Sequence, residues 1–258
     1  MSYSTIRYDL TDGVAQITLA RPDVMNALDT TMRAEITDAV SRGGREARVV
    51  VLTGDGRAFC SGQDLGDRDA VAKLDLEAVL REEYEPMLKA IVDCPVPTIA
   101  AVNGAAAGAG ANLALVHDVV IASEDAFFMQ AFTRIGLIPD AGGTWALPRQ
   151  MGLAKAMGAA LFADRIPARK AEAWGMIWEA VPSEEFDAAW KARAAQLASG
   201  PTEAYARIKT ALRGAFENDL AGQLALEAQL QGDCGRTQDF REGVEAFLDK
   251  RAPQFEGR

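Results

Sequence analysis

The sequence predicts an α/β fold: a core of alternating strands and helices that passes, without a linker, into a helical C-terminal region. Three observations point there. Short continuous apolar runs, "ARVVVLTG" (47–54) and "VPTIAAV" (96–102), have the pattern of strands covered on both faces. Stretches with helical spacing of apolar positions lie before and between them. After residue 150 the strand signal fades, and helical segments follow one another with Pro, Gly and Ser between them.

Taken in order, "VAQITLA" (14–20) alternates β-branched and small residues and ends at Arg21-Pro22, as a strand does. Residues 30–43 put Met32, Ile36, Ala39 and Val40 on one helical face, with Asp29 as the capping side chain. The strand at 47–54 runs into a polar loop, "GDGRAFCSGQDLGDRD" (54–69). A helix is expected over 74–93, stopped by Cys94-Pro95. The strand at 96–102 leads through "NGAAAGAGANLAL" (103–115), a turn passing into a helix. "DVVIA" (118–122) and "AFFMQ" (126–130) are further strands. Helices are expected at 152–163, 168–174, 183–199, 202–217, 219–232 and 237–249. No internal repeat or low-complexity tract interrupts the 258 residues.

The formal net charge of −10 argues against nucleic acid as the main partner, because neutralising phosphates needs a basic face. A local basic pocket for a phosphorylated ligand is compatible with it. Cys60, Cys94 and Cys234 are odd in number and lack CxxC spacing, so neither a disulfide framework nor a zinc site is expected. A reducing cytoplasm fits, and the start "MSYSTIRYDL" lacks the pattern of a signal peptide. Residues 96–122 are apolar, but Asn103, Asn112, His117 and Asp118 interrupt them, which favours a buried core over a membrane span. His117 is the only histidine, so triads and imidazole metal sites are excluded, and a structural role at a helix end is expected for it.

Two loops share a design. In "FCSGQDL" (59–65) a strand runs into a Gly-containing turn from which the Gln63 N–H can point into a pocket. In "NGAAAGAGANL" (103–113) a Gly/Ala turn opens a helix whose first N–H groups have no intrahelical partner. Small side chains let a ligand approach, and a helix N-terminus favours an oxygen that gains negative charge. Two such N–H groups make an oxyanion hole, although Gly/Ala turns also serve close packing. A third feature is the lone acid of "FTRIGLIPDAGGTWALPR" (132–149). Asp140 before Ala-Gly-Gly is an ordinary turn residue. Set among Phe132, Ile138 and Trp145, its carboxyl group would also have a raised pKa, near working pH for proton transfer.

These blocks resemble the crotonase, or enoyl-CoA hydratase/isomerase, superfamily over essentially the whole chain. The carriers are "LARPDVMNALD" (19–29), "AFCSGQDL" (58–65), "AVNGAAAGAGANLALVHDVVIA" (101–122), "GLIPDAGGTWALPR" (136–149), "AEAWGMIWEAV" (171–181) and "REGVEAFLDKRAPQFEGR" (241–258). The resemblance implies a spiral of ββα units over residues 1–195 and a helical trimerisation region over 196–258. It implies a homotrimer or dimer of trimers and an acyl-coenzyme A thioester as substrate, with no cofactor besides. The thioester oxygen would sit between the N–H of Gln63 and that of Ala109, with Gly108 as the alternative donor. Coenzyme A would run along Arg21, Val24 and Met25, near Ser61 and Asp64. Phe247 and Lys250 of a neighbouring subunit would reach its adenine and 3′-phosphate.

Within the superfamily the acids decide. Hydratases carry two glutamates that hold water; their positions here are Asn112 and Phe132, which do neither, so hydration by the usual mechanism is disfavoured. Asp140 falls where isomerases place a single catalytic aspartate. The dehalogenases of the superfamily also need a histidine base, and His117 lies at the far end of its helix. The blocks "GLIPDAGGTW-x-LPR", "EAWGMIW" and "REGV-x-AFL-x-KR-x-PQF" are similar to the ring-epoxide isomerases of aerobic phenylacetate catabolism. That group forms oxepin-CoA from ring-1,2-epoxyphenylacetyl-CoA and also has Δ3,Δ2-enoyl-CoA isomerase activity. The acyl pocket would then be lined by Asn112, Phe132, Ile138 and Trp145. A general Δ3,Δ2-enoyl-CoA isomerase or enoyl-CoA hydratase-like enzyme of fatty-acid oxidation is the nearest alternative, and a crotonase-fold RNA-binding or scaffold subunit a non-enzymatic one. Partnership with a hydratase of the same pathway is compatible with the resemblance.

Overall fold

A computed structural model describes residues 3–66 and 75–258; the end of the predicted polar loop, 67–69, and the first residue of the predicted helix, Leu74, lie outside the described residues. The main sheet has six strands in the order β1 (Ile6–Thr11), β2 (Val14–Leu19), β3 (Val49–Gly54), β5 (Thr98–Val102), β7 (Val119–Ser123) and β10 (Glu179–Val181). Only β1 is antiparallel to its neighbour; the others run parallel. The first hairpin was not expected, yet Asp12-Gly13 between two β-branched runs signals it. Both residues take positive φ, 50° and 76°, as a two-residue hairpin turn demands.

The apolar runs are buried on both faces, as their continuity predicts. Val50, Leu52, Ala100 and Val102 face one core, shared with helix α1 (Thr30–Glu46), which presents Met32, Ile36, Ala39 and Val40. Val49, Val51, Ile99 and Ala101 face a second core, filled by Phe186, Trp190 and Ala194 of α8 (Phe186–Ala198). Asp29 caps α1 by accepting a hydrogen bond from the Met32 N–H at 2.7 Å, as the sequence indicates.

A second, four-stranded sheet positions the site. Its strands are β4 (Ala58–Cys60), β6 (Ala105–Ala107), β8 (Phe127–Met129) and β9 (Ile166–Pro167), in that order, with the first three parallel. Strands of two or three residues are too short for a periodicity, so of these the sequence indicates only β8. What reads as one turn-to-helix stretch at 103–115 is β6 followed by the short helix α4 (Ala109–Leu115).

The predicted helix over 74–93 is a continuous run with an irregular centre. It consists of α2 (Leu76–Val79), a π-helical turn (Leu80–Tyr84) and α3 (Glu85–Val92). Helix α5 (Gly143–Met151) was not predicted, because Gly142-Gly143 and an internal Pro148 hide it. The five helical segments α6 (Leu153–Phe162), α7 (Ala168–Ala173), α9 (Thr202–Gly214), α10 (Leu220–Cys234) and α11 (Gln238–Asp249) fall where the sequence places them. Helix α9 docks on the core through Asp118, whose two carboxylate oxygens accept from Lys209 and Arg213 at 2.7 Å each. Among the described residues no helix is long and apolar enough to cross a membrane.

Candidate active site

Strands β4 and β6 are parallel neighbours, so their C-terminal ends open on the same side. That adjacency brings the two Gly-containing loops together. Gly62 has φ +96°, and a Cβ there would lie 2.9 Å from the Ala107 carbonyl and 3.3 Å from the Ala109 N. Only glycine allows both that conformation and that approach. One turn on, a Cβ at Gly110 would lie 2.3 Å from the Cys60 carbonyl oxygen, so α4 rests directly on the end of β4.

Gln63 and Ala109 line a common cavity of about 300 Å³. Among the described residues neither backbone N–H donates a hydrogen bond. The N–H of Gly108, by contrast, is engaged with the Met129 carbonyl at 2.8 Å. Ala109 is the first residue of α4. The Cys60 thiol beneath is fully buried, which pushes its pKa up to about 12 and leaves it a packing group.

The Gln63 side chain is clamped by Tyr84, which also lines the cavity, and by Arg33, which does not. Its Oε1 accepts from Arg33 Nη1 at 2.9 Å and from the Tyr84 hydroxyl at 2.8 Å. Arg33 is 2% exposed, bridges Glu83 at 2.6 Å, donates to the Leu28 carbonyl and lies 4.8 Å over the Tyr84 ring. Glu83 and Tyr84 both come from the π-helical turn, a geometry often found beside functional sites. Burial holds the Tyr84 phenol neutral, well above its ordinary pKa.

Asp140 faces the same cavity from the loop before α5. The cavity wall is mostly apolar, with Leu65, Leu80, Phe132, Ile135 and Leu137, but Tyr84 and Arg134 also line it, the latter donating to the Ala163 carbonyl at 2.8 Å. Its Oδ1 is buried without a hydrogen-bond partner among the described residues. Desolvation raises its pKa from 3.8 to about 6, offset only in part by its own backbone N–H. No imidazole is near to share the proton: His117 Nδ1 lies 2.9 Å from the Leu113 carbonyl at the other end of α4, and burial lowers its pKa to about 4.

The predicted pocket residues divide. Phe132 lines the cavity. Ile138 does not: it is 76% exposed, while its neighbour Leu137 lines the cavity. Trp145 lines a different hollow, with Phe216, and is stacked under Arg149 at 4.4 Å. Asn112 is fully buried beneath the Asp140 loop and does not reach the cavity.

Of the residues expected along coenzyme A, Ser61 lines the cavity; its N–H donates to the Met25 carbonyl at 3.0 Å and its hydroxyl to the Val24 carbonyl at 3.4 Å, while Val24 and Met25 themselves do not line it. Arg21 and Asp64 are paired with each other at 2.9 Å, and Arg21 also reaches Asp29 at 3.3 Å, so both side chains staple the loop. Phe247 and Lys250 lie at the end of α11, outside the cavity of their own chain. Sequence reasoning missed Arg33, Tyr84, Leu80 and Leu137. The one available signal was Arg33, an arginine adjoining the apolar face marked by Met32 and Ile36. Among the described residues no group of three or more His, Cys, Asp or Glu side chains is placed to hold a metal ion.

The mixed α/β fold, with its largely parallel sheets, is that of the crotonase-fold proteins. The chain belongs to the enoyl-CoA hydratase/isomerase family, whose model matches residues 9–258. It is 64% identical over 258 residues to a Rhodobacter capsulatus protein named "probable enoyl-CoA hydratase", covering 100% of both chains. It is 45% identical over 251 residues to the 1,2-epoxyphenylacetyl-CoA isomerase of Escherichia coli, covering 95% of this chain and 96% of that one. The enoyl-CoA hydratase structure from Bacillus anthracis superposes with a TM-score of 0.91 at 32% identity, over 99% of this chain and 100% of that one.

Proposed function

We propose that the chain is an acyl-coenzyme A isomerase that converts ring-1,2-epoxyphenylacetyl-CoA to oxepin-CoA and moves Δ3 double bonds to Δ2. The observation that carries this reading is the Asp140 carboxylate. Among the described residues its buried Oδ1 has no partner; it has a pKa of about 6 and lies in a mostly apolar cavity that also holds the Gln63 and Ala109 N–H groups, free among the same residues. At neutral pH it is ionised but poorly solvated, which suits a base that returns the proton it takes.

In the double-bond shift, the Asp140 carboxylate takes a proton from the carbon next to the thioester. The electron pair moves onto the thioester oxygen, giving a dienolate that accepts from Gln63 N–H and Ala109 N–H. The protonated Asp140 then delivers the same proton two carbons further along. For the epoxide, the same pair of N–H groups polarises the thioester, and Asp140 lies against the strained ring. With Asn112 buried and Phe132 apolar, the two hydratase acid positions supply no group to hold a water. The aromatic and aliphatic cavity wall suits an acyl group with a ring. Exposed apolar residues on α6 (Leu153, Leu161, Phe162) support assembly with further copies, in which a neighbour's Phe247 and Lys250 would meet coenzyme A.

The test is a panel of substrates with purified protein. Turnover of the epoxide and of 3-hexenoyl-CoA by the wild type, with loss of both in Asp140→Asn, is the expected result. Rapid hydration of crotonyl-CoA, or an Asp140→Asn variant as fast as wild type on 3-hexenoyl-CoA, would overturn the reading.

A further inference from the structure

Among the described residues the Asp140 carboxylate has no side-chain hydrogen-bond partner to fix its direction, so its position is set through its backbone. Two fully buried amides do this. Gln130 Nε2 donates to Asn112 Oδ1 at 2.9 Å, and Asn112 Nδ2 donates to the Asp140 carbonyl at 2.8 Å. The same carbonyl accepts from the Gly143 N–H at 2.8 Å, which closes a turn through Ala141 and Gly142. Both turn residues have positive φ, 47° and 79°, and a left-handed alanine persists only where its surroundings hold it. The fit is close: a Cβ at Gly143 would stand 2.3 Å from Asn112 Nδ2.

Asn112 also lies three residues after Ala109 on the same short helix, α4. One helical turn therefore joins the donor at one end of the cavity to the backbone of the acid at the other, and three-residue spacing keeps them on neighbouring faces. We infer that Asn112, oriented by Gln130, is a positioning residue for the reaction, fixing the Asp140 carboxylate in register with the Ala109 N–H without touching substrate. This rests on the reading of Asp140 as the base.

The inference concerns geometry and not binding, so its signature lies in kcat. Misplacing a reacting group by about 1 Å costs on the order of 100-fold. For Asn112→Ala on 3-hexenoyl-CoA, kcat is expected to fall about 10–100-fold with KM within about threefold of wild type. Because a loosened Asp140 meets more water, the acid limb of kcat/KM should move to lower pH, a change that general weakening of the fold would not produce. Gln130→Met keeps the volume and removes only the donor to Asn112; it should show the same two effects, smaller, and decides the matter if Asn112→Ala does not fold. The double variant should be no worse than Asn112→Ala alone, since both act through one chain of bonds. Wild-type kcat in folded Asn112→Ala, or in folded Gln130→Met with an unmoved pH profile where Asn112→Ala does not fold, would overturn the inference. Asp140→Asn is measured beside them. If it is inactive while the other two behave as wild type, the positioning role alone fails; if it is active, the base assignment itself fails.

Discussion

The two sides of the cavity are built in opposite ways. On the Gln63 side the side chain is held: Arg33, Glu83 and Tyr84 close a hydrogen-bonded network behind it. On the Asp140 side the carboxylate projects into a mostly apolar wall with one oxygen unpartnered among the described residues. A group that only stabilises charge gains from being fixed, because its dipole then needs no reorganisation when the charge develops. A group that gives and takes a proton gains from being poorly solvated, because its two protonation states then differ little in free energy near neutral pH. On the proposed reading, satisfaction and deprivation of hydrogen bonds mark two different tasks within one cavity.

That contrast can be broken at either side. The largest effect is expected from Asp140→Ala, which should lower kcat on 3-hexenoyl-CoA by about 10²–10⁴-fold. In the wild type, kcat/KM should be level above about pH 6 and fall tenfold per unit below it, because the carboxylate is protonated there. A pH–rate profile with its acid limb near the ordinary aspartate value of 3.8 would show that the wall does not desolvate the acid.

Next comes Gly110→Ala, whose methyl group would meet the Cys60 carbonyl and force α4 away from β4. Loss of one donor position should lower kcat about 10²–10³-fold in a protein that still folds by circular dichroism. Tyr84→Phe removes one of two hydrogen bonds to Gln63 Oε1 while Arg33 keeps the other. A net hydrogen bond is worth about 1 kcal/mol, so a decrease of roughly three- to tenfold in kcat is expected.

The smallest effect is on stability and has the opposite sign. Folding raises the Asp140 pKa from 3.8 to about 6, so the folded protein binds the proton more tightly than the unfolded chain does. The favourable contribution is fully present below the unfolded value and is lost as the pH rises through about 6. Asp140→Asn removes that loss, and its Tm should exceed that of wild type by about 2–4 °C at pH 7.5, with the difference shrinking at pH 5. An unchanged Tm at both pH values would mean that the isolated charge costs the fold nothing.

The legible parts of the sequence share one property: a pattern long enough to repeat. The parallel strands β3, β5 and β7 were visible as unbroken apolar runs, and the C-terminal helices by their spacing and punctuation. Strands β4 and β6 span three residues each, and no period can be read from so few. The candidate donors were legible only as a pair of similar loops, each after an apolar run, because a Gly/Ala turn taken singly also serves close packing. Their choice was not. Gly108 and Ala109 are equivalent in sequence, and only the pairing of β6 with β8 shows that the Gly108 N–H is already taken.

The acyl pocket was the least legible region, because nearness along the chain is a poor guide to facing. Ile138 and Trp145 adjoin Asp140 in sequence and point elsewhere, while Leu80 and Tyr84 arrive from a helix more than fifty positions earlier. By itself the sequence determined the fold class, the helical second half, the two loops and the one acid, because apolar periodicity, glycine and residue chemistry are local properties. Only the tertiary structure decided which N–H groups are free, which side chains line the cavity and what holds Asp140 in place. Those depend on partners brought together by the sheet, and a hydrogen bond to a distant carbonyl leaves no mark on the residues beside it in the chain.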